Sequence, residues 1–447
     1  MNCEEGLKLK KDPESYTYGQ ILRKPSYWIK AFLGTFFLFA FLYFAVKFLA
    51  IFDFLDPIGD ALSGYEVTDQ VFSNPEWREI PPADTNIVVV NVGNLGRADI
   101  ARQINILNSF NPKVIGVDLI FRNLKSDTLG DLLLADAIAN SPNLVVYQKL
   151  LDPAELSEGN FFKSVEYSHP VFRLGSQKTG FVNLINDEKA NAQQFEIKTC
   201  RSFYPKQYLY DSLTNQVDTV YAFAVELARY LKPENVEKLL ARNNEEEIVN
   251  YSGNVIDYGK TRLGTRFAVL DYYQVLDTAF TADLIKNKIV LMGVMGRDFD
   301  DTYTVEDKYF TPLNTRQAGR AFPDMYGVVV HANIISMILE NKYIDIMGDI
   351  YTYFITFIIC FANVLLFTLI YYKLPEWYDG LTKVLQLMQS LLFVFIIILF
   401  FHYFSYKLDL TLVIVVVLLS GDVLEVYYGF IMNSYCRIVE GIKKIKK

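Results

Sequence analysis

NIVVVNV, residues 86–92, is β-branched almost throughout and shows no alternation of polar and apolar positions. A strand of this kind is buried on both faces, as in a parallel sheet covered by helices on either side. VIGVDLIF (114–121), NLVVYQ (143–148) and KIVLMGV (288–294) have the same character. Between them, residues 97–110 set Ile100, Ile104 and Leu107 at helical spacing, and a second helix is expected over 129–139. Strand, helix, strand, helix, strand implies parallel strands joined by right-handed crossovers. Residues 152–210 are polar and β-tending, with GFVNLIND (180–187) their clearest strand. A helix near 221–231, a strand near 247–251 and a last helix over GVVVHANIISMILENK (327–342) complete the pattern. The fold class is α/β, a mostly parallel sheet flanked by helices.

Both ends of this segment run into apolar sequence. A membrane-crossing helix needs about 20 mostly apolar residues. Four stretches reach that length: 31–52, 350–372, 384–401 and 410–432, one before the α/β segment and three after it. The first has a longer apolar run than a secretion signal and no small-residue cleavage site behind it, so it reads as a retained anchor. Residues 1–30 carry Lys8, Lys10, Lys11, Arg23, Lys24 and Lys30, and residues 433–447 carry Arg437, Lys443, Lys444, Lys446 and Lys447. Basic flanks mark the cytoplasmic side, and four spans put both ends on one side, so both rules export residues 54–348. Trp28 and Trp377 fall at span boundaries, where indole rings favour the headgroup layer.

Composition agrees with a chain divided between lipid and water. Of 447 residues, 51% are hydrophobic and 21% charged, which excludes a disordered chain and an all-membrane transporter. The net charge of −8 divides into +2 over residues 1–53, +1 over 349–447 and −11 over the exported part. Such a surface repels nucleic acid, and no Lys/Arg cluster there interleaves with aromatic residues. Cys200 is the one cysteine in the exported part, so no internal disulfide forms there, and no paired-cysteine metal spacing exists.

NPKVIGVDLIF, GFVN with Asp187 behind it, KNKIVLMGVMGRDFDD with Thr311 and Pro312 beyond, and YGVVVHANIISMIL follow one another over about residues 85–345. Together, in this order, they resemble the second type of CHASE domain, the exported sensory module of bacterial transmembrane receptors. One helix before and three after is similar to that family's layout. The resemblance implies a sensor facing the envelope from a bacterial inner membrane. Related receptors continue into a cytoplasmic cyclase, kinase or phosphodiesterase, whereas here the sequence runs to Lys447, about one short helix past the fourth span. Intracellular output is then expected from a separate protein.

Ligands of open parallel sheets bind beyond the carboxyl ends of the strands. Asn91, Asp118, Asp298, Asp300 and Asp301 are expected there, with His331 and Asn333 opening the last helix nearby. Carboxylates in that number can hold a divalent cation; equally, such residues cap helices and satisfy loop amides. No other cofactor is implied. The exported part offers two histidines, His169 and His331, and no nucleophile elbow, zincin helix, Walker loop or dinucleotide fingerprint, so no catalytic residue is expected. Within the fourth span Asp422 and Glu425 stand three apart on one helical face. Intramembrane carboxylates face a partner or a wet cavity, so a contact to another subunit, like or unlike, competes with snorkelling to the interface. Two functions fit: a sensory subunit that passes its signal to a separate protein, or a scaffold subunit of an envelope complex.

Overall fold

The computed structural model of the protein describes residues 17–49, 66–74, 77, 81–156, 159–173, 175, 178–184, 199–211, 216–255, 265–297, 307–314, 322–432, 434, 435 and 438. The chain divides into two compact units, residues 1–60 with 345–447, and residues 61–344. The longer helices are α1 (Pro25–Leu49), α2 (Arg97–Ser109), α3 (Thr128–Ala139), α4 (Phe223–Leu231), α5 (Pro233–Ala241), α6 (Tyr272–Leu276), α7 (Gly327–Glu340), α8 (Asp349–Lys373), α9 (Tyr378–Phe404) and α10 (Thr411–Val426).

The second unit is built on a nine-stranded sheet. Its strands are β1 (Asp84–Asn91), β2 (Val114–Val117), β3 (Leu144–Leu156), β4 (Gly159–Tyr167), β5 (Lys178–Phe181), β6 (Lys206–Asp211), β7 (Gln216–Tyr221), β8 (Phe267–Leu270) and β9 (Ile289–Gly293). They lie in the order β8-β1-β9-β2-β3-β4-β6-β7, with β5 beside β3. From β8 to β3 every pairing is parallel, with Val89 opposite Leu291 and Leu291 opposite Gly116.

Alternation across the sheet sorts the side chains between two helical layers. Val88, Val90, Ile115, Val117, Val290 and Met292 pack with Ile100, Ile104 and Leu107 of α2 and with Leu134 and Ile138 of α3. On the opposite face, glycines let helices come close. A methyl group at Gly180 would lie 2.5 Å from the Cα of Phe223, and one at Gly293 would lie 2.7 Å from Cβ of Val328. α7 is buried at every residue from Gly327 to Leu339.

The main departures from the sequence pattern are among the strands. β2 stops at Val117, where 114–121 reads as one strand. The amide of Asp118 still donates to the Met292 carbonyl at 2.8 Å, and the chain then leaves the sheet. β3 runs on to Leu156 because it forms an antiparallel hairpin with β4. The strand expected near 247–251 shrinks to Glu247–Ile248, paired with Ser202–Phe203. β5 ends at Phe181, and residues 185–187 of that expected strand lie outside the described residues.

In the first unit four helices are long and apolar enough to cross a membrane: Pro25–Ala45, Asp349–Lys373, Pro375–Phe404 and Thr411–Met432. Leu38, Cys360, Val364, Phe367, Val416 and Leu424 form their shared core. Polar side chains between the helices bond within the unit: Gln386 Nε2 donates to the Leu418 carbonyl at 2.9 Å, Gln389 Nε2 to Asn363 Oδ1 at 2.8 Å, and Tyr378 Oη to the Gly421 carbonyl at 3.0 Å. The connection expected over 373–383 is much shorter than that, one 3-10 turn at Pro375–Trp377 before α9 begins. Lys383, assigned to that connection by the sequence pattern, therefore sits on a spanning helix, where it pairs with Asp422.

Candidate functional site

The carboxyl ends of β1, β9, β2 and β3 lie side by side, where an open parallel sheet takes its ligand. Asn91 ends β1 and is fully buried. Its Nδ2 donates to Asp271 Oδ1 at 2.9 Å, and its Oδ1 accepts from the amides of Gly93 and Met295, each at 2.9 Å. Three post-strand segments are thereby tied together, and the Asn91 amide is committed to them.

Asp118 is the first residue past β2. Part of its surface remains open to solvent, yet protein crowds its carboxyl from most directions. Burial, with repulsion from the Asp307 carboxylate second, pushes its pKa up to about 8. Tyr147 on β3 is half-buried, and burial raises its phenol to about 12, with the Asp118 and Asp307 charges adding to the effect. Burial likewise raises the Tyr309 phenol, again helped by Asp307 and Asp118. Beside Tyr147, Arg122 grips Glu166 through two bonds of 2.5 and 3.1 Å. That pairing holds the Glu166 carboxyl below its usual range.

Asp118, Asp307, Tyr147 and Tyr309 thus act on one another electrostatically, with the Arg122 guanidinium acting on Tyr147 as well. Such an arrangement disfavours two ionised carboxylates together and favours a proton, an ammonium group or a metal cation. Among the described residues no three His, Cys, Asp or Glu side chains converge as a metal site. Asp298, Asp300 and Asp301 lie outside the described residues. Asp324 braces the segment that carries Asp307 and Tyr309, accepting from the Thr311 amide at 2.8 Å and the Thr311 hydroxyl at 2.5 Å. Burial raises its pKa to about 7 against those bonds.

His331 and Asn333 belong to the packed interior of α7. The His331 ring meets Phe223 edge-on, 5.4 Å between centroids, and its Nδ1 has no hydrogen-bond partner among the described residues. Burial lowers its pKa to about 4, so the ring is neutral. Asn333 spends both ends of its amide on the 252–253 backbone: Oδ1 accepts from the amides of Ser252 and Gly253 at 2.8 and 3.2 Å, and Nδ2 donates to the Gly253 carbonyl at 2.9 Å. The structure therefore brings Asp118 together with Asp307, Tyr147 and Tyr309, none of which stands out in the sequence. Asn91, His331 and Asn333 build the scaffold around them.

In the helix unit Asp422 and Glu425 are both exposed. Asp422 pairs with Lys383 of α9, while Glu425 has no hydrogen-bond or ion-pair partner among the described residues.

Residues 65–370, more than half of the chain, match the family model described as the CHASE2 domain. No curated protein and no solved structure matches.

Proposed function

The chain belongs to the CHASE2 domain family, and we propose that it is a receptor of the bacterial inner membrane that passes its signal to a separate protein. It is a membrane sensory protein with four helices fit to cross a bilayer and an extracellular or periplasmic domain. In the proposal both ends of the chain are cytoplasmic and the domain faces the periplasm. A small cationic or protonated ligand binds at Asp118, shifts the domain between two states, and the helices carry that shift to the partner. The ligand does so only by binding one state more tightly than the other. No catalytic step is assigned to this chain.

The observation that carries the ligand class is Asp118, an acid crowded by protein and by a second carboxylate, with no cationic side chain bonded to it among the described residues. Its folded pKa lies above the unfolded value, so its contribution to stability is complete at acid pH and is lost as pH rises through about 8. The thermal midpoint of the full-length chain in nanodiscs is therefore expected to fall from about pH 6 to about pH 9, and the Asp118→Asn variant should flatten that fall. At the upper pH, calcium chloride or putrescine should restore the midpoint in the wild type and leave the variant unmoved. Equal responses in the two proteins, or none in either, would remove the ligand assignment.

A further inference from the structure

α10 shows one face to the surface of its unit. Thr411, Val415, Leu418, Asp422 and Glu425 are exposed at alternating steps of four and three, with Val426 beside Glu425 and Gly429, in the π-helical turn that follows, exposed as well. Val413, Val416, Val417, Ser420, Val423 and Leu424 point the other way and are buried. Alternating steps of four and three form the seam of two helices that wrap around each other. The stripe is held firmly, because Gln386 and Tyr378 of α9 bond the backbone of α10 at Leu418 and Gly421.

Its charge is unbalanced. Lys383 answers Asp422 at the surface, both side chains about half exposed, and the carboxylate of Glu425 is left over. A leftover carboxylate within a membrane span faces a partner or a wet cavity as a rule. Lipid tails offer neither charge nor hydrogen-bond donor. A second copy of this chain is a poor occupant. Copies inserted in the same sense are related by an axis along the membrane normal, which sets the unanswered Glu425 against Glu425 along a shared seam. Like charges brought face to face select against that pairing.

We propose that this stripe docks one transmembrane helix of a different protein, a helix that carries Lys or Arg at the depth of Glu425. Val415 and Leu418 supply the packing surface, and Gly429 lets the two backbones approach closely. The proposal rests on the four helices crossing the membrane and is independent of ligand binding at Asp118, so either can fail alone.

The test uses the full-length chain in bicelles and fluorescent synthetic helices of about 22 leucines and alanines, with one Lys, Leu or Asp at the depth of Glu425. Anisotropy is expected to show the Lys helix binding about tenfold more tightly than the Leu helix. Glu425→Gln should erase that preference, and Glu425→Lys should transfer it to the Asp helix. Equal binding of the Lys and Leu helices, or a preference that survives Glu425→Gln, overturns the proposal. So does a wild-type dimer in nanodiscs that Glu425→Gln converts to a monomer, since the occupant would then be a second copy.

Discussion

Replacing Arg266 with methionine is expected to destabilise the chain by about 3–5 kcal/mol, the range found when one member of a buried ion pair is removed. Arg266 is 3% exposed and sits between two acids from distant parts of the chain. It bonds the Glu340 carboxylate at the end of α7 and lies 3.7 Å from Asp84 Oδ2 at the start of β1. Ser336 completes the cluster, donating to Asp84 Oδ2 at 2.6 Å. Methionine keeps most of the stem volume and removes the charge, so the buried Asp84 carboxyl loses its guanidinium neighbour. Burial pushes the Glu340 carboxyl up, but Lys342 and Arg266 outweigh it and hold it below the usual range. The contribution of Glu340 is thus present near neutrality and is lost as pH falls through its folded value. Differential scanning of the full-length variant should show a midpoint lower by roughly 10 °C. Adding Asp84→Asn to the variant should recover part of the loss.

The second large effect is expected at Asn333. Asn333→Leu fills a similar volume but leaves the amides of Ser252 and Gly253 and the Gly253 carbonyl without the partners they have now. Each unsatisfied buried group costs about 1–3 kcal/mol, so a total near 4 kcal/mol is expected. The loss should also be local. Hydrogen exchange at Ser252 and Gly253 should quicken by more than the roughly 1,000-fold that a global loss of about 4 kcal/mol imposes on amides in β1 and β9. Uniform acceleration across the sheet would mean that Asn333 acts through general packing.

The parallel half of the sheet is legible from residues 86–92, 114–121 and 288–294, because burial on both faces demands unbroken β-branched runs. The hairpin of β3 and β4 is not, since its arms mix apolar residues with Asp152, Pro153, Glu155 and Lys163 and present no face that must be apolar throughout. β8 is missed for another reason. It is four residues long, and its place beside β1 is set by pairing across nearly the whole domain rather than by a local pattern. Asp118 is legible as a ligand candidate because it directly follows a strand. Tyr147 reads as one more strand residue, and Asp307 and Tyr309 come from a stretch with no periodicity, so only the fold delivers them to Asp118. Lys383 was hidden by the hydropathy boundary at residue 384. The helix extends past that boundary because its first turns need helical spacing and polar bonds to α10, not apolar content.

The central claim is that residues 81–344 fold outside the cytoplasm on a chain that crosses the membrane four times. Alkaline phosphatase, which is active only after export, tests this most directly when fused after Cys200 and, separately, after Asp379 between α8 and the body of α9. Activity in the first fusion and none in the second is the expected result. A silent fusion at Cys200, with an active one at Asp379, would contradict the account.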